Sequence, residues 1–248
     1  MKNLLVFLGV LVCFGAFDAP SAIAAETPTI TTIMQNGPSA NRVNIVFLSE
    51  AYVASQRETY FNDVRIAVDE MFTRTPFKEY KNFFNVSAVW VASQDSLLAV
   101  VGRNEETRTY FGEWGGLSPS LEKIDNVSRS FFGQRDPIVS ILLNNDGRFS
   151  GEASQPQKVS LVGFAILGAG KLRSESVPYI EEIYASSSAH ELGHAFGGLR
   201  DEYTGGAVMK AGQSETSFDG FFPNVTTETR RDRVRWKHWI SPDVPIPT

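Results

Sequence analysis

Apolar positions along the chain fall into short dense runs separated by polar stretches. Val43 to Leu48 is one run, Phe83 to Ala92 a second, Pro137 to Leu143 a third and Val159 to Leu167 a fourth. Each is the length of a strand and rich in Val, Ile or Phe, and each reads as one. A helix lies between the first two. Ser55 reads as its cap, with Glu58 completing a capping box. Phe61, Val64, Ile66, Val68 and Met71-Phe72 give it an apolar side, and it stops before Pro76. Leu121 to Phe132 reads as a second helix, and Asn144 to Gly147 as a turn. Residues 93 to 120 carry no clear period. Residues 168 to 176 read as a loop, and a last helix begins between Glu181 and Ser187. Residues 26 to 41, rich in Thr, Ser, Asn and Pro, read as an extended or disordered lead-in. Residues 204 to 220 read as a polar loop, and Pro223 to Trp239 as irregular structure ending in a short helix.

The last helix carries the chemistry. It contains His190-Glu191-Leu192-Gly193-His194, followed by Gly197-Gly198-Leu199-Arg200-Asp201-Glu202-Tyr203. Residues four apart share one helix face, so both imidazoles can turn toward one tetrahedral Zn2+. Glu191 is rotated by about 100° from His190, which suits it to a metal-bound water rather than to the metal. At about 100° per residue, Leu192, Ala195, Phe196 and Leu199 cluster on the opposite side, the expected core face. Gly193 and Gly197 fall near the histidines, where absent side chains leave room for metal and substrate. The Gly197-Gly198 pair is a strong helix stop. In a chain of this length the five-residue pattern arises by chance on the order of one time in a hundred. Only three histidines occur in the whole chain, and two of them are here.

His190 through Tyr203 resembles the signature of the bacterial IgA-peptidase family of zinc metallopeptidases. Further segments resemble it too: Arg42 to Tyr52, Pro76-Phe77 through Val86, and Pro223-Asn224-Val225-Thr226 through Trp236-Lys237. The likeness covers roughly residues 42 to 240. It implies an α+β or α/β fold of zincin-like, metzincin-like type, with a twisted mixed sheet packed on the HExxH helix. The order of strand, helix, three strands and metal helix suits that architecture. It also implies Zn2+ as cofactor, protein or peptide as substrate, and endopeptidase activity with Glu191 as general base. Such relatives continue into a methionine turn beneath the metal. Met209 is not in a similar context, so the 42–248 domain is a candidate for truncation at its C-terminus.

The third ligand is open between two acids. In metzincins it follows the second histidine by six residues, where this chain has Arg200, which cannot bind a metal. Asp201 follows at seven, and the extra glycine can absorb the insertion. On a straight helix Asp201 would stand about 10 Å further along the axis than His194, so binding requires the chain to fold back at Gly197-Gly198. Leu199 would then anchor the turn in the core and Arg200 would face solvent. Glu202 is the alternative ligand, or orients a histidine from behind; Tyr203 can donate to the transition state or merely pack.

Composition narrows the remaining classes. Net charge is −5 and the isoelectric point is near 5.3, which argues against a nucleic-acid footprint. The interrupted basic run Arg230 to Arg235 reads as a solvated helix face. Met1-Lys2-Asn3, the apolar run Leu4 to Phe17 and Ala22-Ile23-Ala24 read as a signal peptide over residues 1–25, with the mature chain starting at Ala25 or Glu26. The sole cysteine, Cys13, would leave with it. The expected product is an exported bacterial protein, secreted, periplasmic or cell-surface, with no membrane span after signal removal. Two other functions fit the same residues: a binding or adhesin-like protein keeping a structural zinc, or a zinc hydrolase of a non-peptide bond. A structural site has no need of Glu191. His238 reads as a packed or exposed residue, not a ligand. Three Asn-x-Ser/Thr sequons occur, at Asn85, Asn126 and Asn224.

Overall fold

The computed structural model describes residues 27–96, 108–112, 120–133, 137–144, 151–154, 164–169, 178–200, 223–226 and 228–243. In chain order the elements are β1 (Thr29–Met34), β2 (Val43–Glu50), α1 (Arg57–Met71), the short α2 (Phe77–Tyr80), β3 (Phe84–Trp90), α3 (Leu121–Phe132), β4 (Ile138–Leu143), β5 (Gly151–Ser154), β6 (Phe164–Gly168) and α4 (Pro178–Gly197). The strands form one mixed sheet in the order β1-β3-β2-β4-β6-β5. β3, β2, β4 and β6 are mutually parallel, and β1 and β5 close the two edges antiparallel.

This topology follows from the apolar runs. Parallel strands are joined by crossovers, so helices cover both faces and the strands have no polar side. Ile45 and Phe47 of β2 enter one core with Phe84, Val86 and Ala88 of β3 and with Ile138 and Leu142 of β4. The alternate residues Val46, Leu48, Val89, Val139 and Ile141 enter a second core. The chain steps from β2 to β3 in one direction, then crosses back over β2 to β4. Right-handed crossovers in opposite directions place their helices on opposite faces. Accordingly α1 packs in the first core through Tyr60, Phe61, Val64 and Val68, and α3 packs in the second through Ile124 and Val127. Burying each such side chain stabilises the fold by roughly 1.5–3 kcal/mol relative to leaving it exposed. α4 returns to the α1 side, with Leu192 and Ala195 in the first core. The sheet therefore packs directly on the helix that carries the two histidines.

Several local expectations change. The lead-in is extended, but its residues 29–34 form the edge strand β1, paired with β3. Its exit is tied down by side-chain amides: Asn36 Nδ2 donates to the Lys81 and Phe84 carbonyls, each at 2.9 Å. The Ser55–Glu58 capping box is not formed. A single 3-10 turn, Ala54–Gln56, precedes α1, and Gln56 Oε1 accepts the Val53 N–H instead. α4 begins at Pro178, ahead of the Glu181–Ser187 start, because proline fits the first helical turn without losing a hydrogen bond. β5 was not expected. The fourth strand occupies Phe164–Gly168, and 155–163 lie outside the described residues. Arg230 to Arg235 form a turn rather than a helix face, with Arg230 paired to Asp232 at 2.8 Å.

Candidate active site

α4 presents its two histidines from one turn apart. Their Nε2 atoms converge to 3.0 Å, and the rings meet nearly edge to face at a centroid distance of 4.5 Å. Glu191, the next residue round the helix, is buried at 7% exposure. A carboxylate so withdrawn from water is held for a specific contact, since burying it unassisted is costly.

The tautomer of His194 is fixed by its surroundings. Its Nδ1 lies 2.6 Å from the Leu199 carbonyl oxygen. A carbonyl only accepts, so Nδ1 carries a proton and donates, and in the neutral ring this leaves the lone pair at Nε2. That lone pair points toward His190 Nε2. Two imidazole nitrogens on a tetrahedral zinc at 2.0–2.1 Å stand about 3.3 Å apart. The observed 3.0 Å, with the opposite nitrogen of His194 on a carbonyl, fits such a donor pair: carbonyl-oriented histidine is the usual arrangement behind a metal.

The carbonyl reaches His194 because the helix stops and reverses. Gly198 sits at φ +64°, in the left-handed region that a Cβ disfavours. Its N–H donates to the His194 carbonyl at 3.1 Å and the Leu199 N–H donates to the Gly193 carbonyl at 3.2 Å, which closes the helix end. The reversal at the glycine pair is as expected; its packing is not. Leu199 is 39% exposed and Phe196 45% exposed, so neither is a core anchor. Leu199 folds back along the glycine face: a methyl placed on Gly197 would lie 3.2 Å from Leu199 Cγ, and one on Gly193 3.4 Å from Cδ1. The glycines thus make room for Leu199 rather than leaving open space for substrate. Phe196 packs on Phe84 at a ring distance of 6.0 Å.

One residue further on, the chain is gripped again. Asn224 Oδ1 accepts the Arg200 N–H at 2.9 Å, and Asn224 Nδ2 donates to the Arg200 carbonyl at 2.7 Å. Asn224 was legible only as part of a family-like segment and as a sequon. No local pattern links it to a backbone 24 residues earlier. Asp201, Glu202 and Tyr203 lie outside the described residues. Among the described residues no cluster of three or more His, Cys, Asp or Glu side chains is assembled. His238 is exposed, on the 3-10 turn Lys237–Trp239.

Residues 31–151 and 164–248 match the family described as IgA Peptidase M64. The chain belongs to that family. M64 membership makes it a peptidase of the metallopeptidase kind, acting on protein or peptide. The match takes in β1 from residue 31 onward, the helix exit and Asn224. No curated protein matches the chain. Among the described residues no helix is long and apolar enough to cross a membrane.

Proposed function

We propose that this M64-family protein is an exported zinc-dependent endopeptidase. His190 and His194 hold the metal, and Asp201 is the third protein ligand. The observation that carries this reading is the convergence of the two Nε2 atoms at 3.0 Å with His194 fixed from behind by the Leu199 carbonyl. Zinc, when bound there, lowers the pKa of its water and polarises the substrate carbonyl. Glu191 takes the proton of the attacking water and hands it to the leaving amine. Its burial keeps the carboxylate out of bulk solvent, where its proton would otherwise be lost. The reversal at Gly198 supports Asp201, because it turns the chain back toward His194 at the point a ligand seven residues on requires. Glu202 then orients a histidine, and Tyr203 donates to the developing charge or packs beside it. Export rests on the basic start, apolar run and small-residue site of residues 1–25.

The test is cleavage of a broad peptide library with and without a chelator, with metal content measured alongside. Glu191→Gln should lose about 10²–10⁴-fold in hydrolysis while retaining zinc. Zinc loss in that variant would make Glu191 a ligand and sink the base assignment. Asp201→Ala should lose most of its zinc, whereas Glu202→Ala should keep it with weakened activity. The reverse pattern exchanges the two roles. Zinc binding without cleavage of any peptide would favour the binding-protein reading.

A further inference from the structure

We propose that Asn224 is a positioning residue for His194, acting through the single peptide group that joins Leu199 to Arg200. The Leu199 carbonyl and the Arg200 N–H belong to one planar unit. The carbonyl end accepts from His194 Nδ1 at 2.6 Å. The N–H end donates to Asn224 Oδ1 at 2.9 Å. The orientation of the Asn224 amide is forced, because an N–H needs an acceptor and the Arg200 carbonyl, 2.7 Å from Nδ2, needs a donor. Two opposed hydrogen bonds leave the side chain no second way to sit.

This makes a linear chain of dipoles, from Asn224 through the peptide to His194. Hydrogen bonds in series polarise one another, so the grip at the N–H end strengthens acceptance at the carbonyl end. It also fixes the plane in which the carbonyl points. From the other side, Leu199 is held by its own N–H on Gly193. The Pro223–Thr226 segment, remote in sequence, thereby enters the site without touching it. The inference rests on the proposed metal role of His194 for its consequence, though not for its geometry.

Two measurements separate it from a merely structural role. The first is zinc affinity, read by competition with a chromophoric chelator. The second is the neutral-ring tautomer of His194 in the metal-free protein, read by long-range nitrogen–proton NMR. Asn224→Ala should bind zinc about 10–100-fold more weakly and should show a mixture of tautomers where the parent shows Nδ1–H alone. Ile141→Ala, in the second core on the opposite face of the sheet, serves as the control: it should lower the melting temperature and leave both readouts unchanged. Asn224→Asp keeps the acceptor for the Arg200 N–H and loses the donor to the carbonyl. A carboxylate oxygen would then face the Arg200 carbonyl oxygen where Nδ2 stands at 2.7 Å, so the grip should open. This variant too should show mixed tautomers, and it supplies the test should the alanine variant fold poorly. A folded Asn224→Ala with parental affinity and a single tautomer overturns the proposal. So does a folded aspartate variant that keeps the single parental tautomer. A parent protein that binds no zinc would sink the metal reading alone; the tautomer comparison would still decide this one.

Discussion

The middle of the sheet and the exit of α4 are held by opposite means. At β2, β3 and β4 nearly every side chain is buried, and neighbours on both faces share the task. Displacing one leaves the rest in place. At residues 197–200 the side chains are exposed or half-buried, and the geometry depends on a handful of named hydrogen bonds and one left-handed glycine. The sheet is redundant and insensitive to detail; the exit is not. Stability and metal geometry should therefore come apart under mutation, and each region supplies a way to test that.

The largest effect on stability is expected in the sheet. Leu142 of β4 is fully buried in the first core, and Leu142→Ala should cost about 2–5 kcal/mol. Denaturant titration checks it. Zinc affinity of the folded variant should stay at the parental value; a loss matching that of an exit variant would erase the contrast between the regions.

At the exit, Gly198→Ala places a Cβ at φ +64°. The expected cost is about 1–2 kcal/mol, smaller than for Leu142→Ala, but zinc affinity should fall because the Leu199 carbonyl moves. Gly198→Asn should be milder on both counts, since asparagine tolerates this conformation. Equal zinc affinity in all three proteins would show that the reversal does not set the metal geometry.

The smallest effect sharpens the sheet side. The Tyr60 hydroxyl lies 3.0 Å from the Phe47 carbonyl and 3.1 Å from that of Val89, tying β2 to β3. Tyr60→Phe should cost about 0.5–1.5 kcal/mol. Burial pushes the Tyr60 hydroxyl well above its usual value. The folded protein therefore keeps the proton longer than the unfolded chain. The contribution is complete below about pH 10, where the unfolded tyrosine titrates, and is lost as pH rises beyond it. Unfolding measured across that range should show the two proteins converging; a gap that widens would give the wrong sign and reject the assignment.

The same division explains what could be read from the sequence. Strands buried on both faces declare themselves as apolar runs, and β2, β3 and β4 fall where those runs lie. β1 and β5 do not. Thr29–Met34 is mostly half or fully exposed, and Gly-Glu-Ala-Ser has no apolar period; each becomes a strand only because a parallel sheet offers it an edge. The histidine pair was legible because a spacing of four is a property of any helix. Leu199 was misplaced for a related reason. Helical angles do not hold past Gly198, where the chain has already reversed, so a helical wheel assigns Leu199 a side it does not have. The role of Asn224 had no local signature, since a carboxamide that mimics a backbone pair looks like any loop asparagine.

The amides that hold this fold are also, by accident of neighbouring residues, acceptors for carbohydrate. Oligosaccharide transfer in a eukaryotic secretory pathway acts on Asn-x-Ser/Thr in chains not yet folded, and attaches to the very nitrogen that here donates hydrogen bonds. Asn126 lies exposed on α3 and could carry a glycan into solvent. Asn85 is 4% exposed, and its Nδ2 serves both the Gly37 carbonyl and Asn44. A sugar there would remove one donor and need space the core does not have. Production in yeast or mammalian cells should therefore yield misfolded, retained protein. Asn224 donates through the same nitrogen, so Ser87→Ala with Thr226→Ala, which abolish both acceptors while sparing the two asparagines, should restore secretion.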